Sequence, residues 1–139
     1  MKLYSYVVRV DGGVAPNPEK GICTLACCKP VIRRKAQVGD WVVGTGSVEN
    51  IGQHKMVYAM KVSEVLTSDE YFKDKRFKKR VDNIYHKEGR KWVQEPNNFH
   101  SDPQSKKRDL GGKNVLIGKE FYYLGKKGKE LYSNKIGMR

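Results

Sequence analysis

Val38-Gly39-Asp40-Trp41-Val42-Val43-Gly44 is the clearest strand start in the chain. Gly39-Asp40 supplies a turn, and the bulky, β-branched run behind it suits an extended, half-buried backbone. Working back, Leu3-Tyr4-Ser5-Tyr6-Val7-Val8-Arg9-Val10 has the same aromatic and β-branched make-up and reads as a first strand. Asp11-Gly12-Gly13 ends it, and Ala15-Pro16-Asn17-Pro18 is an irregular loop, because proline has no N–H to give a ladder. The apolar run from Gly21 to Cys28 is short enough for a buried strand or a helical turn, and periodicity does not separate the two. Lys29-Pro30 breaks that run, and Val31 to Gln37 reads as a basic turn or a short helix.

Working forward, Gly44-Thr45-Gly46-Ser47 is a flexible polar exit. Met56 to Leu66 reads as one strand, apolar on both faces at its start and therefore central in its sheet. Ser68-Asp69-Glu70 is a helix start, with Ser68 as cap and two acids facing the positive helix end. The helix is expected to reach about Arg80 or a turn further, with Phe77, Val81 and Ile84, at i, i+4 and i+7, on one face. Residues 83–112 form a long polar loop that is either functional or hides short strands, Lys91 to Gln94 being one. Asn114 to Ile117 and Glu120 to Leu124 read as two strands, or as one bulged at Gly118. The tail from about 125 to 139 is basic and expected to be mobile at its end.

This order of elements implies a single α+β, β-rich domain over residues 1–139: a small curled sheet or barrel with one or two flanking helices. No stretch approaches the roughly 18 consecutive apolar residues of a membrane span. No small-residue cleavage site follows the first strand, so a secretory signal is not expected. Cys23, Cys27 and Cys28 are an odd set with two neighbours adjacent, which suits a disulfide framework poorly and a reducing cytoplasm well. Their spacing lacks the paired short intervals of a structural zinc site, so buried thiols are expected, with no metal and no cofactor. Against 15 Asp and Glu stand 28 Lys and Arg, a net charge of +13 that draws polyanions to the surface.

The stretch from Cys23-Thr24-Leu25-Ala26-Cys27-Cys28 through Lys29-Pro30-Val31-Ile32-Arg33-Arg34-Lys35 to Val38-Gly39-Asp40-Trp41-Val42-Val43-Gly44 resembles the nucleotide-modification-associated domain of the second type, found in bacteria and phages. Asp82-Asn83-Ile84-Tyr85-His86, Phe99-His100-Ser101, Asn114-Val115-Leu116-Ile117 and Phe121-Tyr122-Tyr123-Leu124 carry the same resemblance. It implies a setting near base-modification systems. A weaker resemblance, to PUA-like domains of the EVE and ASCH kind, rests on Arg33, Arg34 and Val38-Gly39-Asp40 with the strand that follows. It implies a small barrel that cradles a nucleotide or modified base, although Gly44-Thr45-Gly46-Ser47 stands where EVE domains carry an aromatic-histidine exit.

Four groups of residues could carry function. Lys29, Arg33, Arg34 and Lys35 lie just ahead of Trp41, so guanidinium forks and ammonium groups can hold phosphate while the indole stacks a base. Thr45 and Ser47 would line the same pocket, and the competing account makes Trp41 part of the core. The block Lys75, Arg76, Lys79 and Arg80 suits backbone phosphates or is a solvated helix face. The loop holding Asp82, Tyr85, His86, Trp92, His100, Asp102, Arg108 and Asp109 is where an enzyme could hide, with His86, His100 and Asp102 as its catalytic residues. Those residues equally well pin a loop. The leading expectation is a non-catalytic binding module for nucleic acid or a nucleotide-type ligand, a modified base in a bacterial or phage modification or defence setting being one candidate. A small nucleotide-directed enzyme and a protein-interaction subunit of a modification or defence system are the alternatives.

Overall fold

A computed structural model describes residues 1–8, 14–46, 55–97, 100 and 102–125. Among these residues two four-stranded sheets carry the fold. The first has the order β1 (Leu3–Val8), β4 (Trp41–Gly46), β5 (Met56–Lys61), β10 (Glu120–Tyr123), parallel between β1 and β4 and antiparallel elsewhere. The second, antiparallel throughout, has the order β2 (Asn17–Glu19), β3 (Ile22–Leu25), β9 (Asn114–Gly118), β6 (Glu64–Thr67). A separate hairpin joins β7 (Tyr85–Glu88) to β8 (Lys91–Gln94). The helices are α1 (Pro30–Lys35), α2 (Ser68–Lys73) and α3 (Pro103–Gly111), with a 3-10 turn at Lys75–Phe77.

Alternation along the strands builds three layers. Leu25 and Leu116 point from the second sheet towards Val42, Val57, Tyr58 and Met60 of the first. Val115 and Ile117, one residue to either side, join Tyr71, Phe72, Phe77, Ile84 and Tyr85 on the opposite face. The second sheet is thus the middle layer, which explains why β9 is apolar without interruption from Val115 to Ile117. The expected α+β, β-rich class holds, and both sheets stay open, with no closed barrel among the described residues. No helix there is long and apolar enough to cross a membrane.

The Gly39-Asp40 turn and the strand behind it form as expected. The Asp40 carboxylate accepts the Lys2 and Gln37 N–H groups at 2.9 and 2.8 Å, tying the turn to the start of β1. Other expectations change. The single strand over Met56 to Leu66 is two, β5 and β6, which lie in different sheets. Of the two readings for residues 114–124, two strands holds: β9 and β10 lie in different sheets and part at Gly118, where a Cβ would meet Met60 Cγ at 2.2 Å and the Lys61 carbonyl at 2.7 Å. The helix expected to reach Arg80 stops at Lys73, because Asp74 is extended and its carboxylate accepts the Arg76 N–H at 2.9 Å, opening a new 3-10 turn. Its cap is Thr67, paired with Glu70 in a capping box, one residue earlier than Ser68. Phe77 and Ile84 are buried but Val81 is exposed, so they share no helical face. The supposed long loop holds the β7–β8 hairpin, with its Lys91–Gln94 strand as read, and also α3. The basic tail beyond 125 lies outside the described residues.

Candidate functional site

Between β3 and α1 the chain turns through Cys28 and Lys29, both left-handed with φ of 61° and 41°. Non-glycine residues adopt that region rarely. Pro30 then opens α1, where its fixed φ suits the first helical turn and its missing N–H costs nothing.

Arg33, fully buried, folds back beneath this turn. Its Nε donates to the Cys28 carbonyl at 2.6 Å, its Nη1 to Ala26 and Asn114 carbonyls at 3.1 Å each, and its Nη2 to Arg108 at 3.3 Å and to the Asp109 carbonyl. Five N–H groups meet five carbonyls, which is how a buried guanidinium is tolerated without leaving a donor unpaired. Arg33 therefore clamps the turn onto the end of α3.

Asp109, on the last turn of α3, is buried beside it. Oδ1 accepts the Cys28 N–H at 2.8 Å; Oδ2 accepts the Tyr85 hydroxyl at 2.6 Å and lies 2.6 Å from Nδ1 of His100. A carboxylate has no hydrogen to give, so Nδ1 carries it. That leaves Nε2 facing the Cys28 sulfur, 3.6 Å away. Gln94 of β8 donates to the His100 carbonyl at 2.7 Å and to the Tyr85 hydroxyl at 3.2 Å, tethering the histidine to the hairpin. Burial pushes the Asp109 carboxyl up, but the hydrogen bonds from His100, Tyr85 and the Cys28 N–H outweigh it and hold the group below its ordinary range. His100 goes the other way, raised to about 9 by its bond to Asp109 and then by its contact with Cys28, against the cost of desolvation.

A second buried carboxylate, Asp82, accepts the Thr24 hydroxyl at 2.5 Å and the Tyr71 hydroxyl at 2.6 Å, and burial raises it to about 6. Cys27 sits close to both acids, and burial pushes its thiol well up. Donor atoms of Cys27, His100 and Asp109 lie within 4.8 Å of one another, close enough to surround a metal ion. A metal needs the thiolate, which that burial opposes, and the Asp109 oxygens already take three hydrogen bonds. The chemistry of the group suits a proton-transfer chain beside the half-buried Cys28.

Other residues singled out in the sequence are dispersed. Lys29 is half-buried with its ammonium 5.2 Å from the Tyr6 ring centre, Arg34 donates to the Gly111 carbonyl at 2.7 Å, and Lys35 is exposed. Trp41 is half-buried and packs, with Val43, on a small cluster of Met56, Ala59 and Leu124. Thr45 donates to the Tyr6 carbonyl at 3.3 Å, and Ser47 lies outside the described residues. Lys75 and Lys79 are exposed. Arg76 pairs with Glu64 and Asp74, and Arg80 is buried against the Asn17, Glu19 and Ile22 carbonyls. The two histidines share no partner among the described residues: His86 pairs with Glu88 and Glu95, and His100 with Asp109 and Cys28. Asp102 precedes α3 and accepts the Ser105 hydroxyl at 2.5 Å.

Residues 1–136 match the family model described as nucleotide modification associated domain 2. The chain belongs to that family. No curated protein and no solved structure matches the chain. The nucleotide modification associated domain 2 match spans Cys28, Tyr85, His100 and Asp109 together. Cys28 was missed as a partner of His100 because their separation of 72 residues hides the pairing. The available signal was a cysteine on a turn between an apolar strand and a proline-led helix.

Proposed function

We propose that this chain binds a nucleotide or a nucleic-acid strand and acts on it at the Cys28–His100–Asp109 cluster. The observation that carries the reading is the hydrogen-bonded chain from the Cys28 sulfur, 3.6 Å from His100 Nε2, to Asp109 Oδ2, 2.6 Å from Nδ1. A sulfur, an imidazole and a buried carboxylate in that order can take up and return a proton at one point. The family description supplies the nucleotide setting, and the net charge of +13 supplies the attraction for phosphate. Exposed Lys35, Lys75 and Lys79 supply cations that no ion pair ties down among the described residues.

Those exposed cations also favour a second reading, a module that binds and leaves its ligand unchanged. Fluorescence anisotropy with single-stranded and duplex DNA and RNA, and calorimetry with free nucleotides, separate the two across a salt series. The proposal expects affinity that falls steeply with salt and a ligand whose mass or spectrum alters on incubation in ordinary or in heavy water. Binding with an unaltered ligand favours the passive module. Absence of binding at low salt overturns both.

A further inference from the structure

The surroundings of Cys28 have a geometry that passive holding of a ligand does not require. Cys28 is half-buried, whereas Cys23 and Cys27 are sealed in the core. The residue is left-handed, and it is gripped on both sides: its N–H by Asp109 at 2.8 Å, its carbonyl by Arg33 at 2.6 Å. Strained backbone of this kind persists where surrounding contacts over-determine it, and it clusters at reactive side chains. The base is in place, and a buried carboxylate fixes which of its nitrogens faces the sulfur.

We infer that Cys28 is a nucleophile that adds to C6 of a uracil-type pyrimidine base, with His100 taking its proton and Asp109 positioning the ring. The inference rests on the reading above for one point, that the ligand is a nucleotide. Attack on a carbonyl would put negative charge on an oxygen beside the sulfur, where the nucleophile's own N–H is a natural donor to stabilise it. In this chain that N–H already binds Asp109 Oδ1. Addition across the conjugated C5=C6 bond sends the charge to the oxygen on C4, across the ring, and needs no donor at the sulfur.

The step balances without any oxidant or co-reactant. The Cys28–His100 pair holds one proton between Sγ and Nε2: that proton is kept on Nε2 of His100, as an imidazolium that Asp109 stabilises, while the freed sulfur pair forms the S–C6 bond. The C5=C6 π pair moves to C5–C4, and the C4=O π pair moves onto oxygen. C5 then takes a proton from water. In reverse, C5 loses one of its two hydrogens to solvent, the double bond returns, and the sulfur leaves and regains its proton from His100. The net result of one cycle is exchange of the C5 hydrogen with solvent.

Two measurements on the full chain test this. Iodoacetamide labelling followed by peptide mass mapping is expected to modify Cys28 first, with Cys23 and Cys27 as buried internal references. His100→Gln is expected to slow the Cys28 reaction about tenfold near neutral pH. Labelling of Cys28 at the same rate in a folded His100→Gln variant overturns the proposal. The second measurement is loss of the H5 proton resonance of deoxyuridine monophosphate, and of a deoxyuridine-containing strand, in heavy water. Exchange in the native chain and none with Cys28→Ser, which keeps the backbone N–H to Asp109, supports the proposal. A ligand that binds with no H5 exchange overturns it. If no nucleotide binds, the functional reading fails, and His100-dependent labelling still decides whether Cys28 is a nucleophile.

Discussion

A Cβ placed on Gly112 would lie 2.3 Å from the guanidinium carbon of Arg33, so the end of α3 and the buried arginine are fitted to one another's shape. Gly112→Ala must push the guanidinium off its carbonyls. Breaking a buried charged network of this kind costs about 3–5 kcal/mol. The neighbouring Gly111, where a Cβ meets nothing within 4 Å, is the control. Gly111→Ala on the last turn of α3 is expected to be neutral or to stabilise by up to about 1 kcal/mol. Urea unfolding midpoints of the two variants check both.

Asp82 sets a pH dependence of its own. Its folded-state value of about 6 lies above that of an unfolded aspartate, so the folded chain holds this proton more tightly. The contribution is fully present below about pH 4 and is lost as pH rises through 6. Across that interval the group is expected to cost about 3 kcal/mol. Asp82→Asn, whose amide can still accept from Tyr71 and donate to Thr24, is expected to remove this slope. The difference in unfolding free energy between the native chain and the variant, followed from acid to neutral pH, measures it.

His100 gives a slope at higher pH. Raised to about 9 by Asp109 and Cys28, it stabilises the fold below the unfolded value of about 6.5 and loses that contribution as pH rises through 9. The stability gap between the native chain and His100→Gln is therefore expected to narrow steadily over that range. Thermal melts at a series of pH values follow it, and a gap that stays constant would show that folding does not make His100 bind its proton more tightly.

Arg76 contrasts with Arg33. It bridges Glu64 and Asp74 at 2.9 and 2.8 Å, but its side chain is 49% exposed. Exposed pairs of this sort contribute about 1 kcal/mol or less. Arg76→Ala is expected to shift the urea midpoint little. Lys79→Glu is expected to leave stability almost untouched and to weaken nucleic-acid binding most at low salt. A large loss of stability in either variant would contradict these placements.

Much of the fold was legible because local chemistry specifies it. Gly39-Asp40 had to turn, Trp41 to Gly44 had to extend, and Met56 to Met60 had to be central. The changes of sheet after Lys61 and at Gly118 were not legible, since a strand that leaves one sheet for another keeps the same apolar pattern. The end of α2 at Asp74 was hidden because basic residues beyond it are good helix formers, and only the Asp74 carboxylate capping Arg76 reverses their preference. Arg33 and Arg80 read as surface cations by type. Their burial depends on carbonyls supplied by remote segments, 76 and 63 residues away in the case of Asp109 and Asn17. His100 and Asp109 were visible as residue types with catalytic potential, but their alignment with Cys28 depends on tertiary packing alone.

The Cys28 N–H is bonded to a side chain 81 residues further along the chain. During synthesis the cysteine emerges long before its histidine and its carboxylate. Until α3 has been made and docked, the Cys28 turn lacks the carboxylate that holds its N–H. The cluster is thereby timed: its sulfur, imidazole and carboxylate come together only when most of the domain is complete. A chain cut short before residue 109 cannot assemble the cluster at all.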